Sequence, residues 1–254
     1  MSNRKVVAAF VAVLFGAASL AWAAPINYGN VTGDTVVYQQ VTEDSSTDPG
    51  ATLYGAPTAS GDALLFNPSF GAVATGGATD QTFGSLTATI VATQNGRIEY
   101  LQFQEQGDYT LFGGGTAATL AEVAATFNIS IIQIDGVDVA PVPVTEQMTF
   151  TVGGSPSDGQ FNLVEDMGLG TAWAGTVGVD LNQAILLAGF SGRATKVEIE
   201  LDNRLLAVSE AGSQSHIKKK AIGGFAITAV TDIPEPATMS LLALGGVALL
   251  RRKK

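Results

Sequence analysis

Phe83-Gly-Ser-Leu-Thr-Ala-Thr-Ile-Val-Ala-Thr93, then Gln94-Asn95-Gly96, then Arg97-Ile-Glu-Tyr-Leu-Gln-Phe-Gln104 is the stretch that decides the fold. Leu86, Ala88, Ile90 and Ala92 alternate with Thr87, Thr89, Val91 and Thr93. A period of two puts one set on the buried face of a strand and the other on its outer face. Beyond the turn, Ile98, Tyr100 and Gln102 alternate with Glu99, Leu101 and Phe103. Asn-Gly suits a tight turn that needs positive φ at both central residues, so the spacing predicts a hairpin. A short strand over Tyr109–Phe112 is expected after a turn at Gly107-Asp108.

The rest of the chain repeats this grammar. A second hairpin is expected at Ile129–Ile134, Asp135-Gly136 and Val137–Val139, with Pro141 and Pro143 confining the next segment to a sheet edge. Thr149–Val152 reads as a short strand ended by Gly153-Gly154. Thr195–Leu201 alternates Val197, Ile199 and Leu201 against Glu198, Glu200 and Asp202, and a turn is expected at Asp202-Asn203 before Leu205–Ser209. Ile222–Val230 is the last strand. Gly168–Gly178, which holds Trp173, reads as a loop. Asp180–Ala188 reads as a short helix with Asp180 as N-cap and Gly189 just past its end. Thr116–Phe127 fits a helix by its Leu120, Val123 and Phe127 and a strand by its threonines. Short apolar runs broken by turn residues, with 30 glycines and only 14% charged residues, predict an all-β, jelly-roll-like antiparallel β-sandwich.

Both ends stand apart from this body. Arg4 and Lys5, the apolar run Val6–Leu20, and Ala21-Trp22-Ala23 make a secretory signal with cleavage after Ala23. At the other end stand Pro234-Glu235-Pro236, an uncharged apolar run over Ala237–Leu250, and Arg251, Arg252, Lys253 and Lys254. The two prolines fix φ and bar a continuous helix through the triplet. The run after it is apolar all round, as a lipid-facing helix would be. The four basic residues would hold the cytoplasmic side as a stop. The expected organisation is residues 1–23 as signal peptide, 24–232 as ectodomain, and 233–254 as anchor segment.

In that order, triplet, apolar run and basic end resemble the PEP-CTERM tail of bacterial proteins handled by exosortase. The resemblance implies export, transient membrane anchoring, and processing at Pro234, Glu235 and Pro236. Gly61–Pro68 and Ala194–Asn203, continuing to Ser209–Ser213 and Lys218-Lys219-Lys220, also look like ectodomains of such proteins. They imply an extracellular β-sandwich and carry no active site with them.

Chemistry is bounded by what the body carries. Outside its two ends it holds 7 basic residues against 22 acidic ones, a formal net charge near −15. Nucleic acid is therefore not an expected partner, because phosphate binding needs a basic face. There is no cysteine, which removes thiol catalysis and thiolate metal ligation. His216 is the only histidine; it is expected at the start of an edge strand and reads as an exposed turn residue rather than a catalytic one, and no nucleophile-elbow pattern surrounds Ser209, Ser213 or Ser215. Gly113-Gly114-Gly115 reads as a turn, not a phosphate cradle. A glycosidase needs a close carboxylate pair; Glu99 with Glu105, and Glu165 with Asp166, are the pairs available, and the simpler reading makes them outward solubility charges. No cofactor is expected. Were one bound, hard oxygen ligands would make it calcium, at Asp135 and Asp138 or at Asp158, Glu165 and Asp166. Lys218-Lys219-Lys220 reads as a basic run guarding an exposed edge strand.

The chain is thus expected to be a non-enzymatic surface or matrix protein, with exosortase, the membrane and exopolysaccharide as partners. The alternative is a carbohydrate-binding module, whose sugar platform would need exposed aromatics; Trp173, Tyr54, Tyr109 and Tyr28 are the candidates. A secreted glycoside hydrolase is the third reading.

Overall fold

The structure, a computed structural model, describes residues 24–93, 96–220 and 225–232. The signal segment with Ala21 and Ala23, the Asn95 turn position, and the whole of 233–254 lie outside the described residues. In chain order the strands are β1 (Ile26–Asn27), β2 (Val31–Thr32), β3 (Val36–Asp44), β4 (Thr58–Ser60), β5 (Ala63–Phe66), β6 (Gly71–Thr75), β7 (Thr79–Ala92), β8 (Arg97–Gly113) and β9 (Leu120–Ile134). Next come β10 (Val137–Gln147), β11 (Thr149–Val152), β12 (Ser155–Ser157), β13 (Gln160–Asn162) and β14 (Gly168–Asp180), the helix α1 (Leu181–Leu187), then β15 (Ala194–Val208), β16 (Ser213–Lys219) and β17 (Phe225–Asp232).

Every strand pairing among the described residues is antiparallel. One layer runs β1–β3–β7–β15–β9–β10, with β2 also on β3 and β13 against the start of β9. The other is built on β8. It carries β14 on one side, with β11 and β12 beyond. On its other side the first half of β8 pairs with β17, then β5 and β4, and the second half pairs with β16, then β6. One pairing, Ala194 with Ile98, links the layers, so the strands form a single curled sheet. The all-β, antiparallel expectation holds.

The core lies between the layers and follows the period of two. In β15, Val197, Ile199, Leu201, Leu205 and Ala207 are buried while Glu198, Glu200 and Asp202 face out. In β9, Val123, Phe127, Ile129 and Ile131 point inward, which resolves the Thr116–Phe127 ambiguity in favour of a strand. The Asp135-Gly136 hairpin forms as expected, with φ of 44° and 80° and Val137 opposite Ile134. Among the described residues β10 pairs only with β9, with a register shift between Asp138 and Val142, so Pro141 and Pro143 sit on an edge. Asp180 caps α1 by accepting from Gln183 N–H at 2.9 Å, and Gly189 stands just beyond the helix at φ 80°.

Other expectations are corrected. β7 and β8 do not pair; β7 lies between β3 and β15, while β8 lies in the other layer. The turn signal marks a break between two strands, not which strands become neighbours. β8 runs unbroken through Gly107-Asp108, which pair with β14 on one side and β16 on the other, and Gly107 is glycine because a Cβ there would strike the Trp173 indole and the Lys218 carbonyl. Gly168–Gly178 is strand β14, not a loop. Its glycines make room for large neighbours: Gly175 for Met148 and Phe150, and Gly178 for the Tyr100 hydroxyl. β15 continues through Asp202-Asn203, since Asn203 keeps the inward phase and finds polar partners inside.

Candidate functional site

Two places carry functional interest: the junction where the folded body meets its C-terminal tail, and the outer face of the first layer. The junction is built by β17. Its residues pair with β8 from Ala226–Gln104 to Asp232–Arg97, and with β5 on the other side. The Tyr38 hydroxyl donates to the carbonyls of Asp62 at 2.5 Å and Ile227 at 3.2 Å, and Thr35 and Thr231 share a hydroxyl contact at 2.5 Å. The last described residue, Asp232, is thus held in the sheet, and only Ile233 separates it from Pro234.

On the outer face, cross-strand register sets polar side chains in rows. Gln39, Thr89, Glu198 and Ser130 share one row; Thr42, Thr87, Glu200, Asn128 and Thr145 share the next. A shallow groove of about 340 Å³ runs over them, lined mainly by hydroxyl, amide and carboxylate groups. Burial, with Asp202 nearby, raises the Glu200 carboxyl above its usual range, and burial raises Asp202 as well. Thr145 donates to Asn128 at 2.9 Å. Such a face can exchange hydrogen bonds with a polar ligand but offers no apolar platform.

Three of the four aromatic residues expected at a sugar platform are core residues instead. Trp173 is 2% exposed, Tyr54 0% and Tyr109 3%. Trp173 packs edge-on to Phe150, and Tyr109 stacks on Phe161 with centroids 4.1 Å apart. Tyr54 donates to the Gly84 carbonyl at 3.1 Å, accepts from Asn203 at 3.0 Å, and meets Phe66 and Phe70 edge-on. Their large apolar area wins burial because each finds a ring or a polar partner inside. Tyr28 is half-buried against the same core.

The expected outward charges are also redistributed. Glu105 is buried and pairs with Lys219, which is equally buried and also donates to Asn203. Lys220 pairs with Asp108. The lysine run is therefore not a guard on an open edge: β16 lies between β6 and β8. Burial pushes the Glu105 carboxyl up against the pull of Lys219, and pushes Lys219 down to about 8. Sequence reasoning missed this pair. Its signal was the inward phase Ser213, Ser215, Ile217, Lys219 in β16. Glu43, likewise buried, accepts from the N–H groups of Leu53, Tyr54 and Gly55 at 3.1, 2.8 and 3.2 Å and holds that loop.

Of the remaining candidates, Asp158, Glu165 and Asp166 line one open pocket beside Asn162, and the others lie apart. Glu99 pairs with Arg193 at 3.5 Å and Asp135 with Arg97 at 3.5 Å. Asp166 accepts from Asn162 N–H at 2.9 Å, Glu165 accepts from the Asn162 amide at 3.0 Å, and Asp158 accepts from Gln160 N–H at 2.9 Å. Among the described residues no group of three or more acidic or histidine side chains could hold a metal ion. His216 is a half-buried mid-strand residue opposite Val73 and Thr110, not a turn residue, and burial lowers its pKa. Ser215 donates to the Leu120 carbonyl at 2.5 Å and Ser213 meets Thr119 at 2.6 Å, so these hydroxyls serve packing.

The body is thus an antiparallel β-protein whose last strand feeds directly into a distinctive tail. Residues 232–254 match the family described as the PEP-CTERM protein-sorting motif. The chain carries that motif, which marks an exported protein addressed to exosortase and transiently anchored at the cell envelope. No curated protein sequence matches the chain. Solved structures show only distant likeness. The enzymatically active domain of bacteriophage CBA120 tailspike protein 4 is 13% identical over 80% of this chain and 19% of its own, at a TM-score of 0.23. The chain thus spans about a fifth of that tailspike structure. A non-crystalline cellulose specific carbohydrate-binding module, CBM28, is 12% identical over 70% of this chain and 86% of its own, at 0.24. A family 12 xyloglucanase from Bacillus licheniformis is 11% identical over 74% and 99%, at 0.21. At scores this low none of them says what this chain binds or does.

Proposed function

We propose that this is a non-enzymatic surface or matrix protein. It is held briefly by Ala237–Leu250, cut near Pro234-Glu235-Pro236 by exosortase, and passed to the exopolysaccharide layer. The observation that carries the reading is the sorting motif at 232–254, set directly against the end of β17. Arg251, Arg252, Lys253 and Lys254 act as the stop, and Ala21 and Ala23 mark the export cleavage. The stable, cysteine-free body serves as the cargo. Burial of Trp173, Tyr54 and Tyr109 removes the stacking platform that a carbohydrate-binding module was expected to use, which favours the matrix reading over that alternative.

Intact mass of the protein from the extracellular and the membrane fractions tests this. A soluble species beginning at Ala24 and ending near Pro236 is the expected result. A membrane species that retains Arg251–Lys254, with no shortened extracellular form, overturns it.

A further inference from the structure

β14 and β17 flank β8, both run antiparallel to it, and both leave it at the same end: Asp180 and Val230 lie on either side of Tyr100. β14 leads into α1, and β17 leads into the tail. The two emerge side by side, about two strand spacings or ~10 Å apart.

This end of the body presents several large apolar side chains to solvent, set among charged ones. α1 turns Leu181 and Ile185 into the core but leaves Leu186 68% and Leu187 78% exposed, and Phe190 on the adjoining loop is 38% exposed. The Asp135-Gly136 turn stands next to that loop, since Asp135 N–H donates to the Arg193 carbonyl at 2.9 Å, and it adds Val137, 66% exposed. Both arginines here are paired, Arg97 with Asp135 and Arg193 with Glu99. A cluster of exposed large apolar side chains marks a contact surface.

The length of chain beyond Asp232 names the occupant. Only Ile233, Pro234, Glu235 and Pro236 separate the sheet from the apolar run that begins at Ala237. Five steps of extended chain reach at most ~17 Å. With the run in a bilayer, the end of the body that bears Leu186, Leu187 and Phe190 is tethered at the lipid surface and cannot leave it.

We infer that Leu186, Leu187, Phe190 and Val137 form a lipid-contacting tip that seats the body on the bilayer while the tail is uncut. The inference rests on the anchor reading above. The contact is apolar: Asp138, Asp180 and Asp232 keep this end acidic, so it does not draw on anionic headgroups. Seated this way, the junction at Pro234–Pro236 lies at the membrane face. Removal of the tail leaves a weak contact that releases the body.

The chain has no cysteine, so one introduced cysteine takes one fluorophore. Full-length protein in phosphatidylcholine vesicles is labelled at L187C, at L244C in the tail, and at L169C, which replaces an equally exposed leucine at the opposite end of β14. The expected result is a blue shift and loss of emission with lipid-borne quencher at 187 and 244, unchanged by salt, and none at 169. Quenching at 244 with a water-like label at 187 overturns the tip and leaves the anchor standing. A label at 187 shielded from aqueous quencher yet untouched by the lipid-borne one means that protein covers the tip, and also overturns it. No quenching at 244 overturns the anchor reading and the tip with it.

Discussion

Lys219 and Glu105 form an ion pair in which both side chains are fully withdrawn from solvent. The lysine comes from β16 and the carboxylate from β8, next to the Asn203 amide of β15, which also receives Lys219. The cluster thus ties the two layers together through polar contacts inside an otherwise apolar core. A buried pair costs desolvation of both ions, so its value lies in fixing geometry more than in net stability.

Removing one partner strands the other charge. K219M is expected to lower stability by about 3–5 kcal/mol. The double variant K219M/E105L removes both charges and is expected to recover most of that loss. Urea unfolding of the two variants checks this; equal losses in both would assign the effect to packing instead of charge.

Stability should rise and then fall in alkaline solution. Lys219 titrates near 8 in the fold against 10.5 when free. Between those values the unfolded chain holds a proton that the fold has released, so stability rises with pH. Burial raises Tyr38, Tyr54 and Tyr109 above the ordinary 10.0. Above pH 10 the unfolded tyrosines ionise first, so stability falls. Denaturant midpoints from pH 8 to 11 should show a maximum between the two regimes, and K219M should lose the rising limb.

Two glycines should respond differently to a methyl group. At Gly178 a new Cβ meets the Tyr100 side chain, which can be shortened; at Gly107 it meets the Lys218 carbonyl and the Trp173 ring. Overpacking of this kind costs about 1–3 kcal/mol. G178A should be rescued by Y100A, and G107A should not be rescued by any single truncation. Thermal melts of these variants decide it.

Loss of the α1 cap should be local. D180A removes the acceptor for Gln183 N–H and should cost about 1 kcal/mol. Hydrogen exchange should quicken in residues 181–188 and stay unchanged in β15; a uniform change across the body would mean that α1 is integral to the fold.

Processing should depend on the triplet and not on the body. Replacing Pro234 and Pro236 by alanine is expected to leave the extracellular fraction empty and the membrane form bearing Arg251–Lys254. The fold should be unaltered, because β17 ends at Asp232. Secretion of a shortened product from this variant would assign recognition to other residues.

Much of this was legible in the chain. Alternation in Thr195–Leu201, the Asp135-Gly136 hairpin, the Asp180 cap with Gly189, and the sorting tail are local signals, each complete within a few residues. The misreadings share a cause. Gly107 and Gly175–Gly178 resembled loop residues because glycine's neighbours in space, Trp173, Phe150 and Tyr100, are remote in sequence. Asp202-Asn203 resembled a turn because the partners of Asn203, Tyr54 and Lys219, arrive from other strands and loops.

Sequence by itself determined that the chain is β-rich, where its strands alternate, and where its tail is addressed, because backbone propensity, period and sorting motif are read along the chain. Only the tertiary structure decided that β7 and β8 part into different layers, that Trp173, Tyr54 and Tyr109 go inside, and that Lys219 is buried on Glu105. Those outcomes depend on which surfaces meet, and burial is worth its free energy only between groups that long-range pairing brings together.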